Sequence, residues 1–194
     1  MDNNKENIEE ISDKDLIANA LINQNDLVYL VERYQKRLLR YILRLTNVSN
    51  EEAEDILQNI FIKMYLNLND FDSSQKFSSW LYRIAHNEII DNYRRHKSRP
   101  QLLNIDIKDS QIKEMTAEVD ILEEVSQLEM NEKVRITISK LDIKYQEVLL
   151  LKFIEEKDYK EIAFIIKKPL GTVASRINKA KGELKKQLLK LKDF

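Results

Sequence analysis

Thr172, Ser175, Arg176 and Lys179 follow one another at steps of three, one and three residues. On a helix that spacing sets all four on a single stripe. A guanidinium there can present two parallel donors to the O6 and N7 edge of a guanine. A hydroxyl and an ammonium such as Thr172 and Lys179 suit phosphate oxygens, which position a protein without reading sequence. Ser175 lies between them on the same exposed side. Chemistry of other kinds has little to work with. The chain has no cysteine, which removes disulfides, zinc–thiolate centres and thiol nucleophiles. Its two histidines, His86 and His96, have no metal-ligand spacing and read as surface residues of a basic helix. No glycine-rich phosphate loop or nucleophile arrangement is present. The expectation is therefore no catalytic residue, no metal and no cofactor.

The elements that must carry this stripe are two helices and a short break. Asp158 is placed to cap a first helix, with Glu161 three residues on completing a capping box. Ile162, Ala163, Ile165 and Ile166 supply its packing face, and Lys167-Lys168-Pro169 breaks it. A second helix from Leu170 to Leu191 turns Leu170, Val173, Ile177, Ala180 and Leu184 inward. This is the pattern of a helix-turn-helix, whose second helix offers its N-terminal side chains to the major groove. An ordinary amphipathic hairpin with a basic face shares the spacing. The concentration of charge, the short break and the small residues at the helix start favour DNA.

The N-terminal half carries a second group of helices. Ser12 or Asp13 can cap one bearing Leu16, Ile17, Ala20 and Leu21. Leu27, Leu30, Val31, Tyr34, Leu38, Tyr41, Ile42 and Leu45 form the apolar stripe of the next. Arg33, Arg37, Arg40 and Arg44 recur on another face of it, as a solvated row or an electrostatic contact surface. Ser49 to Glu52 fits a capping box ahead of a helix that buries Ala53, Ile56, Leu57, Ile60, Phe61, Met64, Tyr65 and Leu68 and leaves Asp55, Gln58, Asn59 and Ile62 at its edge or outside. A polar loop, 69–76, leads into a helix from about Ser78 to Lys97, with Trp80, Leu81, Ile84, Ala85 and Ile89 inward. Arg83, Asn87 and Arg94 share its outward face.

Only 2 Gly and 2 Pro occur in 194 residues, too few turn formers for a β-sandwich or barrel. No apolar run approaches the roughly 20 residues of a membrane span, and the polar N-terminus has no signal-peptide core, so a cytoplasmic protein without membrane insertion is expected. The net charge of −1 averages over a segregation. Nine acids against Lys108 and Lys113 lie between Asn104 and Glu132, and nine bases against Glu183 lie between Lys167 and Lys192. The fold class expected is all-α: a flexible lead over 1–11, a helical domain over 12–98, an acidic linker over 99–126 and a helix-turn-helix domain over 127–194.

Ile162-Ala163, Gly171-Thr172-Val173, Ser175-Arg176 and Lys179-Ala180-Lys181 resemble the DNA-binding region 4 of bacterial sigma factors. Ala53-Glu54-Asp55 with Gln58 and Phe61 resembles region 2.2 of that family. Phe77, Trp80-Leu81, Ile84-Ala85, Asn87, Asp91 and Arg94 resemble its regions 2.3 and 2.4. With no room for a helical region 3, the resemblance is to the extracytoplasmic-function (ECF) type of the sigma-70 family. It implies a protein that binds core RNA polymerase and directs promoter-specific initiation. Asp55 and Gln58, with Asn59 and Ile62 nearby, would meet the clamp helices of the largest polymerase subunit. Lys76, Arg83, Asn87, Asp91, Arg94 and Arg95 would hold the melted −10 strand, with the loop from Asp72 to Phe77 as a pocket wall. Thr172, Ser175, Arg176 and Lys179 would read the −35 duplex. The family also implies an anti-sigma factor as a partner class. Trp80 reads as a core residue before a stacking one. Departures from the family pattern are Lys167 where a glycine usually stands, so that a left-handed turn is costly or absent, Ala174 at an often basic position, and Gly182 inside the last helix. The alternative reading is an autonomous helix-turn-helix regulator, which leaves the Asp55/Gln58 and Asn87/Arg94 faces unexplained.

Overall fold

A computed structural model describes residues 11–46, 48–98, 134 and 136–190. The acidic stretch and the expected linker lie outside the described residues. Helices account for the ordered structure, and no strand occurs among the described residues. In the first domain, α1 spans Asp13–Ile22, α2 Leu27–Leu45, α3 Asn50–Leu66 and α4 Phe77–Ser98. In the second, α5 spans Ile143–Leu149 and runs into a π-helical segment, Leu150–Ile154. α6 then spans Tyr159–Ile165 and α7 Leu170–Lys190.

The helix starts follow the residues that can satisfy free N–H groups. Ser12 accepts from the Asp15 amide and Ser49 from the Glu52 amide. At α6 the box is reciprocal: Asp158 accepts from the Glu161 amide, and Glu161 accepts from the Asp158 amide, both at 2.8 Å. α6 ends in a Schellman-type turn in which the Lys168 amide donates to the Ala163 carbonyl at 3.1 Å. Lys167 occupies the left-handed position of that turn, at φ 52°. The left-handed turn is therefore present and carried by a lysine, so that of the two outcomes expected from the missing glycine, costly or absent, the costly one holds.

The first domain packs α2, α3 and α4 around Leu30, Leu38, Ile42, Ile56, Ile60, Leu81 and Ile89, all essentially inaccessible. The second packs Leu151, Ile162, Ile165, Val173 and Ile177 between α5, α6 and α7. Several stripe positions differ from the sequence reading. Tyr65 and Leu170 are exposed. The loop expected over 69–76 begins with a 3-10 turn, Leu68–Asp70, and α4 starts at Phe77.

The two domains are in contact. α4 packs along α6 and α2 touches α5. The π segment and the left-handed Glu156, at φ 55°, turn the chain so that Glu155 and Lys157 both point into the first domain, each only 6% exposed. Single-turn π segments are frequent at functional places.

Candidate nucleic-acid and polymerase interfaces

Three surfaces carry the expected residues. On α3, Asp55, Gln58, Asn59 and Ile62 are all exposed. Asp55, Asn59 and Ile62 step by four and three residues along one outward face, continued by Leu66, which is 67% exposed. A helix stripe that is polar at its start and apolar at its end, and exposed among the described residues, can dock against another helical surface.

The second surface is the cleft between α3, the 67–76 segment and α4, with a volume of about 440 Å³. Arg83 and Asn87 meet there with Trp80, Asp72 and Gln75. Trp80 is half-buried. Its ring lies 5.3 Å from Phe71 and 5.6 Å from Phe77, so one side packs in an aromatic cluster while the residue still lines the cleft. Asp72 accepts from the Ser74 amide at 2.9 Å, and the hydrogen bonds from Ser74 hold its carboxyl below the usual range. Lys76 is exposed at the rim. Asp91, Arg94 and Arg95 are exposed farther along α4, outside the lining of this cleft. Arg94 reaches Asp91 at 3.9 Å. Arg95 turns instead to Glu88 at 3.3 Å, and shares a separate hollow between α3 and α4 with Asp55 and Asn59. Glu88 is buried and also pairs with Lys63.

The third surface is α7. Ser175 and Lys179 are exposed, Thr172 and Arg176 half-exposed, and Val173, Ile177 and Ala180 are buried beneath them. Packing of α7 on α5 and α6 leaves this stripe open along its length. Arg176 also lies near Asp142, whose carboxyl is held below its usual range first by its hydrogen bond from Lys144 and in smaller part by the Arg176 charge.

The residues the sequence reading did not single out lie where the domains meet. Glu147 is 2% exposed. One of its oxygens accepts the Tyr41 hydroxyl at 3.0 Å and faces His86 Nδ1 at 2.5 Å. His86 is thus an interdomain contact, and not the surface residue that its basic helix suggested. Glu155 accepts the Tyr82 hydroxyl and pairs with Arg37 at 3.3 Å. Burial and the neighbouring carboxylates push both phenols well above the ordinary tyrosine value. Arg33 bonds Asp13 at 2.8 Å, so two members of the arginine row on α2 are committed to contacts within the chain. Lys157 donates to Ser78 Oγ at 2.7 Å, and burial lowers its pKa against the pull of Glu161. The one sequence signal for this interface was Glu147 itself, an acid directly before the apolar run Val148–Leu151.

Family models match in the same order. Sigma-70 region 2 matches residues 30–99 and Sigma-70, region 4 matches residues 132–184. The chain is 37% identical over 172 residues to the ECF RNA polymerase sigma factor SigW of Bacillus subtilis (strain 168), covering 86% of this chain and 90% of that one. It is 30% identical over 156 residues to the ECF RNA polymerase sigma-E factor of Escherichia coli (strain K12), covering 78% and 81%. Among solved structures, CnrH in complex with the cytosolic domain of CnrY aligns with a TM-score of 0.64 at 26% identity, over 91% of this chain and 96% of that one. The sigma factor RpoE in complex with the anti-sigma factor NepR from Bartonella quintana shares the fold, with a TM-score of 0.62 at 19% identity over 84% and 96%. The two region matches, in family order, and 37% identity over 86% of the chain make it a member of the sigma-70 family of ECF type, the proteins that direct promoter-specific initiation by RNA polymerase.

Proposed function

We propose that residues 12–98 bind core RNA polymerase and the −10 element, and that residues 127–194 bind the −35 element, in the cytoplasm and with no catalytic chemistry of the chain's own. Asp55, Gln58, Asn59 and Ile62 meet the clamp helices of the largest polymerase subunit. Lys76, Arg83, Asn87, Asp91, Arg94 and Arg95 hold the separated −10 strand. Arg83 and Asn87 act at the cleft itself, where an unstacked base gains contacts that offset the cost of unpairing. Thr172, Ser175, Arg176 and Lys179 contact the −35 duplex, with Arg176 reading a base edge. An anti-sigma protein is a further partner class, as the anti-sigma factor NepR is in its complex with the sigma factor RpoE.

The observation that carries this reading is that the α3 and α7 stripes lie at the surface over packed helices, while Arg83 and Asn87, half-buried on α4, line one cleft. Run-off transcription with purified core polymerase on a genomic DNA library tests it: promoter-dependent transcripts are expected, and their absence counts against it. In the same assay Arg176→Ala weakens −35-dependent initiation while sparing core binding, by about 1–3 kcal/mol at the base it reads. Asp55→Ala does the reverse. Identical defects would refute the division of labour.

A further inference from the structure

Glu88 follows Asn87 directly on α4, yet it is only 3% exposed. Each of its carboxylate oxygens takes a different cation. Oε2 pairs with Lys63 Nζ from α3, and Oε1 lies 3.3 Å from an Arg95 guanidinium nitrogen two turns along α4. Both cations keep about half or more of their side-chain surface in water, and they open onto different hollows. Lys63 lines the cleft that holds Arg83, Asn87 and Trp80. Arg95 lines the hollow between α3 and α4 that holds Asp55 and Asn59. The root of Lys63 is fixed as well. Its carbonyl accepts Asn67 Nδ2–H at 2.7 Å, and its charge lies in the last turn of α3, where the helix carbonyls favour a cation.

We propose that Glu88 is a positioning residue that sets −10 selectivity: it pins Arg95 and Lys63, the latter a strand contact beyond those assigned above, so that both meet phosphates only along the path that seated bases impose. The inference rests on the −10 assignment. A buried carboxylate cannot release either partner cheaply, because the charge left behind would lie unpaired out of water. Lys63 and Arg95 are therefore held in place despite their exposure. An ammonium engaged by one carboxylate oxygen has donors to spare for a strand in the cleft. Phosphate contacts carry no sequence information of their own. A mobile lysine or arginine follows a backbone wherever it runs, and strengthens binding to every strand alike. A pinned one adds affinity to a strand whose bases lie against Arg83 and Asn87. The acid also offsets one of the two positive charges, which lowers the attraction for strands of any sequence.

The test uses holoenzyme reconstituted from the full chain and core polymerase. Its probes are two fluorescein-labelled forks of one promoter recovered by the run-off selection. Both are duplex over the −35 element and single-stranded over the non-template −10 segment, which is native in one and scrambled in the other. The selectivity is the ratio of the two affinities. Glu88→Gln keeps the side-chain volume and removes the charge that pins both cations. It is expected to tighten binding of the scrambled fork, to lower the selectivity at least three-fold, and to steepen the salt dependence on that fork. Glu88→Asp keeps the charge and is expected to restore most of the selectivity, which a loss of packing alone would not allow. Lys63→Gln is expected to weaken the native fork at least five-fold and to reduce its salt slope by about one. Placed in the Glu88→Gln chain, it is expected to cancel most of the gain on the scrambled fork. An unchanged selectivity in Glu88→Gln overturns the inference, as does a loss that Glu88→Asp shares in full. Normal binding of the native fork by Lys63→Gln overturns it too, and that variant leaves the buried acid in place with Arg95. A preference for the native fork that survives Arg83→Ala with Asn87→Ala, in the otherwise unmodified chain, overturns the −10 assignment instead.

Discussion

Two buried carboxylates set the character of the domain interface. Glu147 has a phenol and an imidazole for partners, and Glu155 a phenol and a half-exposed guanidinium. A carboxylate taken out of water needs every such donor. Tyr41→Phe is accordingly expected to lower stability by about 1–3 kcal/mol, read from the midpoint of urea unfolding, although it removes a single oxygen atom. Lys167 is a strained residue of another kind. Its left-handed backbone places Cβ close to the following carbonyl, at a cost of roughly 1–2 kcal/mol. Part of the relief in Lys167→Gly is offset by the freer unfolded chain. A net gain of about 0.5–1 kcal/mol in the same experiment is the expected outcome.

At the scale of elements, α7 carries the stripe proposed to contact the −35 duplex and is the longest described helix of the second domain. Gly182 lies in its exposed interior, at a backbone φ that needs no glycine, and a Cβ built there meets no atom within 4 Å. Gly182→Ala should therefore add about 1 kcal/mol, visible as a higher melting temperature with −35 duplex affinity unchanged. A loss of duplex affinity would show that a bend at Gly182 matters to docking. The π segment and the left-handed Glu156 after α5 form the opposite kind of element. They add no regular structure, and they aim Glu155 and Lys157 at the neighbouring domain.

For the whole molecule, acid is the informative variable. Glu161 has a folded-state pKa below its ordinary 4.5: burial works to raise it, but the Asp158 amide, Ser79 and Lys76 outweigh burial. Asp158 and Asp142 are likewise held below 3.8, chiefly by the Glu161 amide and by Lys144 respectively. A carboxyl whose pKa is lowered by folding stabilises the fold above its unfolded value and loses that contribution as the pH falls through its folded value. The melting temperature should therefore be level near pH 6 and fall progressively between about pH 5 and pH 3. Because Glu161 bridges the domains, Glu161→Gln should flatten part of that fall. A fall that is the same in the variant would place the acid sensitivity elsewhere.

The sequence by itself determined the helices and their caps and set the proposed contact residues on three stripes, because these depend on local periodicity and on side chains that cap or face outward within one helix. Asp158 with Glu161, the stripe from Thr172 to Lys179 and the Asp55–Ile62 face are all legible from residues a few positions apart. Only the tertiary structure decided that Arg95 turns to Glu88, that His86 meets Glu147, and that Glu161 and Phe164 lie over Lys76 and Arg83. Those pairs lie on different helices or, for Arg95 and Glu88, two turns apart on one. A spacing rule reports which face a residue is on and is silent about what packs there. Charge alone could not have chosen either, since an arginine row suits phosphate and carboxylate equally, and the occupant is set by how the two helical domains fit.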